Sequence, residues 1–327
     1  MHDFRMLIRR AGGPDVIESE AIAPTPPGLG EARVRHGAIG LNFIDAYRRS
    51  GLYPQEYPAG MGSEAAGIVE AVGEGVEAIA PGDRVGYISG PLGAYATVRT
   101  LPAEHLIPLP DAIDDETAAA AMLKGMTAAF LAGPCSKVQA GQTVLVHAAA
   151  GGVGSILVQW LAGMGVTVIA HAGSPEKAGR AAALGAAHAL SCPMDELAAQ
   201  VRAITGGAGV PIVFDSVGAA SWAASLGAVA RCGLLISYGN ASGPVPPFDM
   251  LTLMRTGSVF VTRPTMLDYM PTPALRRAFA GQLFEKIASG LSVPIGQRFP
   301  LAEAGEAHRR LEARETVGAT VLMPQQP

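Results

Sequence analysis

The chain has 327 residues, room for two domains of ordinary size, and 49% of them are hydrophobic, enough to fill large cores. A net charge of −4, from 24 basic and 28 acidic residues with no basic run or interleaved aromatic stripe, gives a nucleic-acid role no electrostatic support. The three cysteines, Cys135, Cys192 and Cys232, form no CxxC pair or disulfide framework, and no apolar leader opens the chain, so the expected compartment is the reducing cytoplasm.

Residues 1–123 alternate short apolar runs with Gly/Pro turns. Strands are expected at 4–9, 32–38, 65–72, 84–87 and 94–98, separated by turns such as Gly12-Gly13-Pro14 and Pro81-Gly82-Asp83. This spacing reads as a β-rich, barrel-like domain. Residues 41–49 read as a short helix ended by Gly51, and this segment carries Asn42, Asp45, Tyr47 and then Tyr53. Residues 113–132 are Ala-rich with a helical pattern, and Asp114 and Asp115 stand at the start, where the helix dipole favours acids. Lys124, Gly125 and Thr127 interrupt that pattern and mark the expected hinge between domains.

Residues 143–173 then read as strand, turn, helix, Gly and strand. The turn spells Ala149-x-Gly151-x-x-Gly154, the dinucleotide fingerprint with Ala in the first position. Gly151 would let the backbone approach a pyrophosphate, Gly154 would let the helix pack close to the strand, and the helix N-terminus would face the phosphates. The competing reading is a tight turn without a ligand. Residues 145–170 also lack any charged side chain and are long enough for a membrane span. The interrupting glycines and two changes of period favour a buried βαβ unit instead, since strands of parallel sheets are apolar on both faces. The second strand ends His171-Ala172-Gly173-Ser174 without a carboxylate, and Lys177 and Arg180 follow. A hydroxyl and cations suit a 2′-phosphate, so NADPH is expected over NADH.

The α/β pattern continues to residue 261. Strands are expected at 187–190, 212–214, 234–237 and 258–261, with helices at 175–184, 195–205 and 221–230. Two strand tails, Asp215-Ser216-Val217-Gly218 and Tyr238-Gly239-Asn240, should open on one cofactor crevice, because ligands bind at the carboxyl ends of such strands. After Arg263-Pro264-Thr265 a helix is expected at 272–289, helical spacing at 301–314 and a final strand at 318–323. The tail is expected to return to the first domain, giving one domain of 1–123 plus 265–327 and a nucleotide domain of 124–264.

Taken together, Ala38-Ile39-Gly40-Leu41-Asn42-Phe43-Ile44-Asp45, Gly62-Ser63-Glu64-Ala65-Ala66-Gly67, Pro81-Gly82-Asp83-Arg84-Val85, Leu123-Lys124-Gly125-Met126-Thr127, the stretch 147–154 and Glu306-Ala307-His308 are similar to the medium-chain dehydrogenase/reductase superfamily. The resemblance is to its zinc-free quinone oxidoreductase, zeta-crystallin-like branch, and most of all to bacterial NADPH:quinone reductases. It implies a GroES-like β-barrel catalytic domain beside a Rossmann doubly wound parallel sheet. It also implies cofactor-binding roles for Thr127, for Ala149, Ala150, Gly151, Gly152, Val153 and Gly154, and for Gly173, Ser174 and Lys177. The same roles fall to Ser216, Val217, Gly218, Tyr238, Gly239, Asn240, Arg263, Pro264, Thr265 and Arg314, while Asn42 and Tyr47 fall beside nicotinamide and substrate. Zinc members carry Cys where Asn42 stands and Gly-His-Glu where Gly62-Ser63-Glu64 stands, so no metal site is expected. One departure is Cys192, where relatives often place a Tyr beside the 2′-phosphate.

Hydride transfer to a quinone needs positioning and a hydrogen bond to the developing oxyanion, roles assigned to Tyr47 and Asn42. Plainer readings stand beside these: Asn42 as an N-cap, Tyr47 as an amphipathic wall residue, Lys124 as a hinge cation and His147 as a satisfied structural histidine. No Gly-x-Ser-x-Gly elbow points to a serine hydrolase. The alternatives are an NADPH-dependent C=C reductase of enone, enoyl or acryloyl substrates, and an NADPH-binding crystallin-like structural or RNA-binding protein. Relatives pair the edge strands of their nucleotide domains, which makes 258–261 the candidate homodimer edge.

Overall fold

A computed structural model describes residues 2–88 and 90–324. The chain forms two compact units, Met1–Lys124 with Thr272–Pro327, and Gly125–Pro271. Residues 265–271, expected with the discontinuous domain, fall in the second unit.

In the second unit the charge-free stretch divides into the strand Thr143–His147, the helix Gly152–Gly163 and the strand Thr167–His171. It begins a six-stranded sheet in the order His188–Leu190, Thr167–His171, Thr143–His147, Val210–Asp215, Val229–Ser237, Phe260–Thr262. Every neighbouring pair is parallel. Sequential strands run outward from Thr143–His147 in both directions, which is the doubly wound order with its switch point at the fingerprint strand. Buried Leu145, Ile169, Val213 and Leu235 pack with Leu197, Val201 and Trp222 in one core.

The first unit holds a seven-stranded sheet. Along its main path run Ile295–Pro300, Ala319–Met323, Glu31–Leu41, Glu64–Val72, Arg84–Ile88 and Ile107–Pro108, and Val98–Pro102 adds to Glu31–Leu41. The tail closes this unit because Ala319–Met323 pairs antiparallel with Glu31–Leu41, Val321 opposite Gly40. Met6, Ile8, Ile39, Tyr87, Tyr95 and Leu322 fill its core.

Several elements differ from the sequence pattern. Residues 94–97 are not a strand: buried Tyr95 bonds Met61 and Met6 through its backbone, and the strand begins at Val98. Leu41 ends a strand, so the short helix is only Phe43–Arg49. The expected strand 258–261 starts at Phe260, because Ser258 takes a left-handed φ of +58° to close the helix Leu251–Gly257. The segment 301–314 opens with a 3-10 turn and is α-helical only over Ala304–Glu312. The helix Asp115–Phe130 runs into a π turn, Leu131–Cys135, at the helix-breaking Pro134. Among the described residues, Asp115–Cys135 is long and apolar enough to cross a membrane, and 72% of its apolar window is buried.

Candidate functional site

The fingerprint turn begins at Ala148, whose φ of +48° sends the chain sharply out of the strand. The Gly151 N–H donates to Ala148 O at 2.8 Å, and Gly151 is the N-cap of the helix Gly152–Gly163 without a side chain to fill its end. No acid stands in that first turn. By contrast, Ser174 and Thr272 cap the helices Pro175–Ala183 and Pro273–Ala288 with their hydroxyls. The bare end leaves helix N–H groups and the positive dipole end for an anion, which fits a dinucleotide pyrophosphate. Gly154 has a different task. A Cβ there would lie 2.9 Å from Ala149 Cα and closer still to the Ala148 carbonyl oxygen. Only glycine lets the helix sit this near its own turn.

The neighbouring strand ends at His171, and Gly173 and Ser174 lead into the helix bearing Lys177. Ser174 Oγ accepts from the Lys177 N–H at 3.2 Å, so its hydroxyl is already a cap. Arg180 pairs with Glu176 at 2.9 Å. Glu176 thus places an acid in the first turn of that helix. Cys192 contributes its carbonyl to His171 Nε2 at 3.0 Å.

Next along the sheet, Asp215 organises the loop Ser216-Val217-Gly218. Its Oδ1 accepts from Val217 N–H at 2.8 Å, Gly218 N–H at 3.2 Å and Ser221 Oγ at 2.7 Å, and its Oδ2 accepts from Ser225 Oγ at 2.6 Å. Ser225 Oγ also lies 3.0 Å from His147 Nε2. The single hydroxyl hydrogen of Ser225 goes to the carboxylate, so the network assigns the His147 proton to Nε2. Burial holds His147 down at about 4, neutral at ordinary pH, and its Nδ1 finds no partner among the described residues. His147, expected to be satisfied, is therefore half satisfied. The second loop packs on the first backbone to backbone. A Cβ on Gly239 would meet Ser216 Cα at 2.8 Å, and the Ser242 N–H donates to Val217 O at 2.7 Å. Arg263 Nη1 donates to Ser237 O at 2.9 Å, and Asn240, with its amide oxygen toward Arg263, accepts from Nη2 at 3.2 Å.

The structure thus gathers Ala149, Ala150, Gly151, Gly152, Val153, Gly154, Gly173, Ser174, Lys177, Ser216, Val217, Gly218, Tyr238, Gly239, Asn240 and Arg263 around the carboxyl ends of one sheet. Pro264 and Thr265 follow its edge strand, and Thr127 lies in the part of the helix Asp115–Phe130 that belongs to this unit. Arg314, with a φ of +61°, belongs to the other unit. The Asp215–Ser221–Ser225–His147 chain was missed; the i, i+4 serines after an Asp-bearing strand tail were its one signal.

Asn42 and Tyr47 lie in the first unit on Phe43–Arg49 and its N-cap. Asn42 is the N-cap residue as the plainer reading held, yet its side chain does more: Nδ2 donates to Glu64 Oε2 at 2.8 Å. Asp45 returns the cap, accepting from the Asn42 N–H at 2.9 Å, and also accepts from Ser63 Oγ at 3.0 Å and Tyr95 OH at 3.2 Å. Burial raises its carboxyl to about 6. Tyr47 is half-buried between Phe43 and Tyr53, with ring centroids 6.0 and 5.5 Å away. Lys124, read as a hinge cation, is buried beside Glu64 at 3.4 Å.

Residues 28–111 match the alcohol dehydrogenase GroES-like domain family, and residues 152–277 match the family described as zinc-binding dehydrogenase. The chain is 49% identical to a quinone oxidoreductase of Pseudomonas aeruginosa, over 98% of this chain and 99% of the relative. It is 41% identical to a 2-haloacrylate reductase of a Burkholderia species, over 98% of each. The crystal structure of Escherichia coli quinone oxidoreductase complexed with NADPH superposes with a TM-score of 0.96 at 41% identity, covering 98% of this chain and 100% of that one. Likeness of this extent runs through both units, and with it the chain belongs to the quinone oxidoreductases of the medium-chain dehydrogenase/reductase superfamily.

Proposed function

We propose that the protein is an NADPH-dependent quinone reductase that works without zinc. The observation that carries this reading is the uncapped, glycine-lined helix N-terminus at the sheet's switch point, with Ser174 and Lys177 at the end of the adjacent strand. Bound NADPH supplies the hydride. Gly151–Gly154 would hold the pyrophosphate, Lys177 the 2′-phosphate, and the 216–218 and 238–240 loops the remainder of the cofactor. Asn42 and Tyr47 orient the acceptor. Normal kcat/KM in both Tyr47→Phe and Asn42→Ala would defeat this site assignment, and equal KM values for NADPH and NADH would defeat the cofactor preference.

Donor chemistry supports the zinc-free reading. The residues at the zinc-ligand places, Asn42 and Ser63, offer an amide and a hydroxyl, both engaged with buried carboxylates. Zinc prefers thiolate or imidazole. Stoichiometric zinc in pure protein would overturn this.

The 2-haloacrylate reductase relative favours a second substrate class, polarised C=C bonds of α,β-unsaturated acids or carbonyls. NADPH oxidation rates across quinones, enones and enoyl thioesters decide between them. We also infer a cytoplasmic homodimer built by the edge strand Phe260–Thr262, with no nucleic-acid or membrane partner. Phe260 there is 64% exposed and Met254 of the preceding helix 60%. A monomer by light scattering at micromolar concentration would refute the dimer.

A further inference from the structure

The Asn42 amide has no choice of orientation. Its Nδ2 donates to Glu64 Oε2 at 2.8 Å, with Glu64 0% exposed and Asn42 6%. A carboxylate oxygen only accepts, so a turned amide would set one acceptor against another out of water. Glu64 is itself fixed, by the Leu123 N–H at 2.6 Å from Oε1 and by the Lys124 ammonium 3.4 Å from Oε2. Gly40 provides the room, since a Cβ there would lie 2.8 Å from Glu64 Cδ. A buried ion pair is a weak source of stability, because desolvation offsets much of the attraction. It is a good device for holding a neighbour in one arrangement.

We propose that Glu64, with Lys124 as its counter-ion, is the positioning residue for Asn42. It fixes the amide with Nδ2 toward the carboxylate and Oδ1 away from it. The second Nδ2 hydrogen is then held in one direction for an acceptor on the substrate. This rests on the reading of Asn42 as a site residue.

A double-mutant cycle tests it, with NADPH and a soluble 1,4-benzoquinone as substrates and NADPH affinity and melting temperature as parallel readouts. Glu64→Gln, whose amide can donate or accept, should lower quinone kcat/KM by about 10- to 100-fold, the scale of a small misplacement near the reacting atoms. NADPH affinity should be unchanged. In an Asn42→Ala background the same substitution should cause no further loss. Glu64→Asp keeps the charge beside Lys124 but shortens the reach to Asn42, so it should lose quinone kcat/KM even where Glu64→Gln fails to fold. Independent, multiplicative losses overturn the proposal, as does full activity in both Glu64 variants beside an impaired Asn42→Ala. Normal kcat/KM in Asn42→Ala would instead remove the underlying reading of Asn42.

Discussion

Gly154→Ala separates two effects of opposite sign. In a helix interior, alanine is worth about 1 kcal/mol more than glycine, so propensity alone would make the variant more stable. The added Cβ would lie 2.9 Å from Ala149 Cα, where ordinary contact begins at 3.4 Å, and nearer still to the Ala148 carbonyl oxygen. Both neighbours are backbone, and Ala148 is already at a φ of +48°, so neither can yield cheaply. Overpacking of this kind costs about 1–3 kcal/mol and outweighs the propensity gain. The helix must retreat from the turn, carrying the proposed phosphate N–H groups with it. The expected result is a melting temperature lower by a few degrees and an NADPH Kd raised at least about tenfold. Fluorescence titration with NADPH and a thermal melt read both. Gly179→Ala is the control: it lies in the helix Pro175–Ala183 with nothing within 4 Å of the new Cβ, so propensity should win and the protein should melt higher. An unchanged Kd and melting temperature in Gly154→Ala would refute the close-packing argument.

Lys177→Ala should weaken NADPH about 10- to 100-fold, the worth of a hydrogen bond to a charged group, and leave NADH unchanged in calorimetry. Ser225→Ala removes a donor from Asp215 and the partner of His147 Nε2, so it should cost about 1–3 kcal/mol in urea denaturation and raise the NADPH Kd by loosening the 216–218 loop. Acid should destabilise the first unit. Burial depresses His36 to about 4 and His308 to about 3, so below the ordinary value of 6.5 the unfolded chain binds protons that the native state refuses, and stability falls as pH falls. Asp45, raised to about 6 from 3.8, works the other way, with the native state binding the extra proton between those values. With His147 of the second unit held at about 4 by the same burial, the histidines outnumber the one raised carboxyl, so stability falls as pH is lowered from 6 to 4. Urea midpoints across that range check this, and flat midpoints would contradict it.

The sequence determined most of the nucleotide unit by itself, for a physical reason. Strand, turn, helix and strand follow one another within the stretch 143–173, and the glycine spacing acts over a few residues, so both apolar period and turn chemistry are local. The same holds for Ser174 as a cap and for the strand tails at Asp215 and Tyr238. The first unit was harder. Its strands are short, and segment 94–97 resembles a strand yet is held by single backbone bonds to distant Met6 and Met61. Only the tertiary structure decided what surrounds Asn42. Glu64 lies 22 residues away in sequence and Lys124 60 residues beyond Glu64, and no period links them. Their meeting depends on the pairing of Glu31–Leu41 with Glu64–Val72, which sets Gly40 opposite Glu64 and leaves the space the carboxylate fills. Local propensity names the residues able to hold a cofactor; burial and strand register decide which way the Asn42 amide must face.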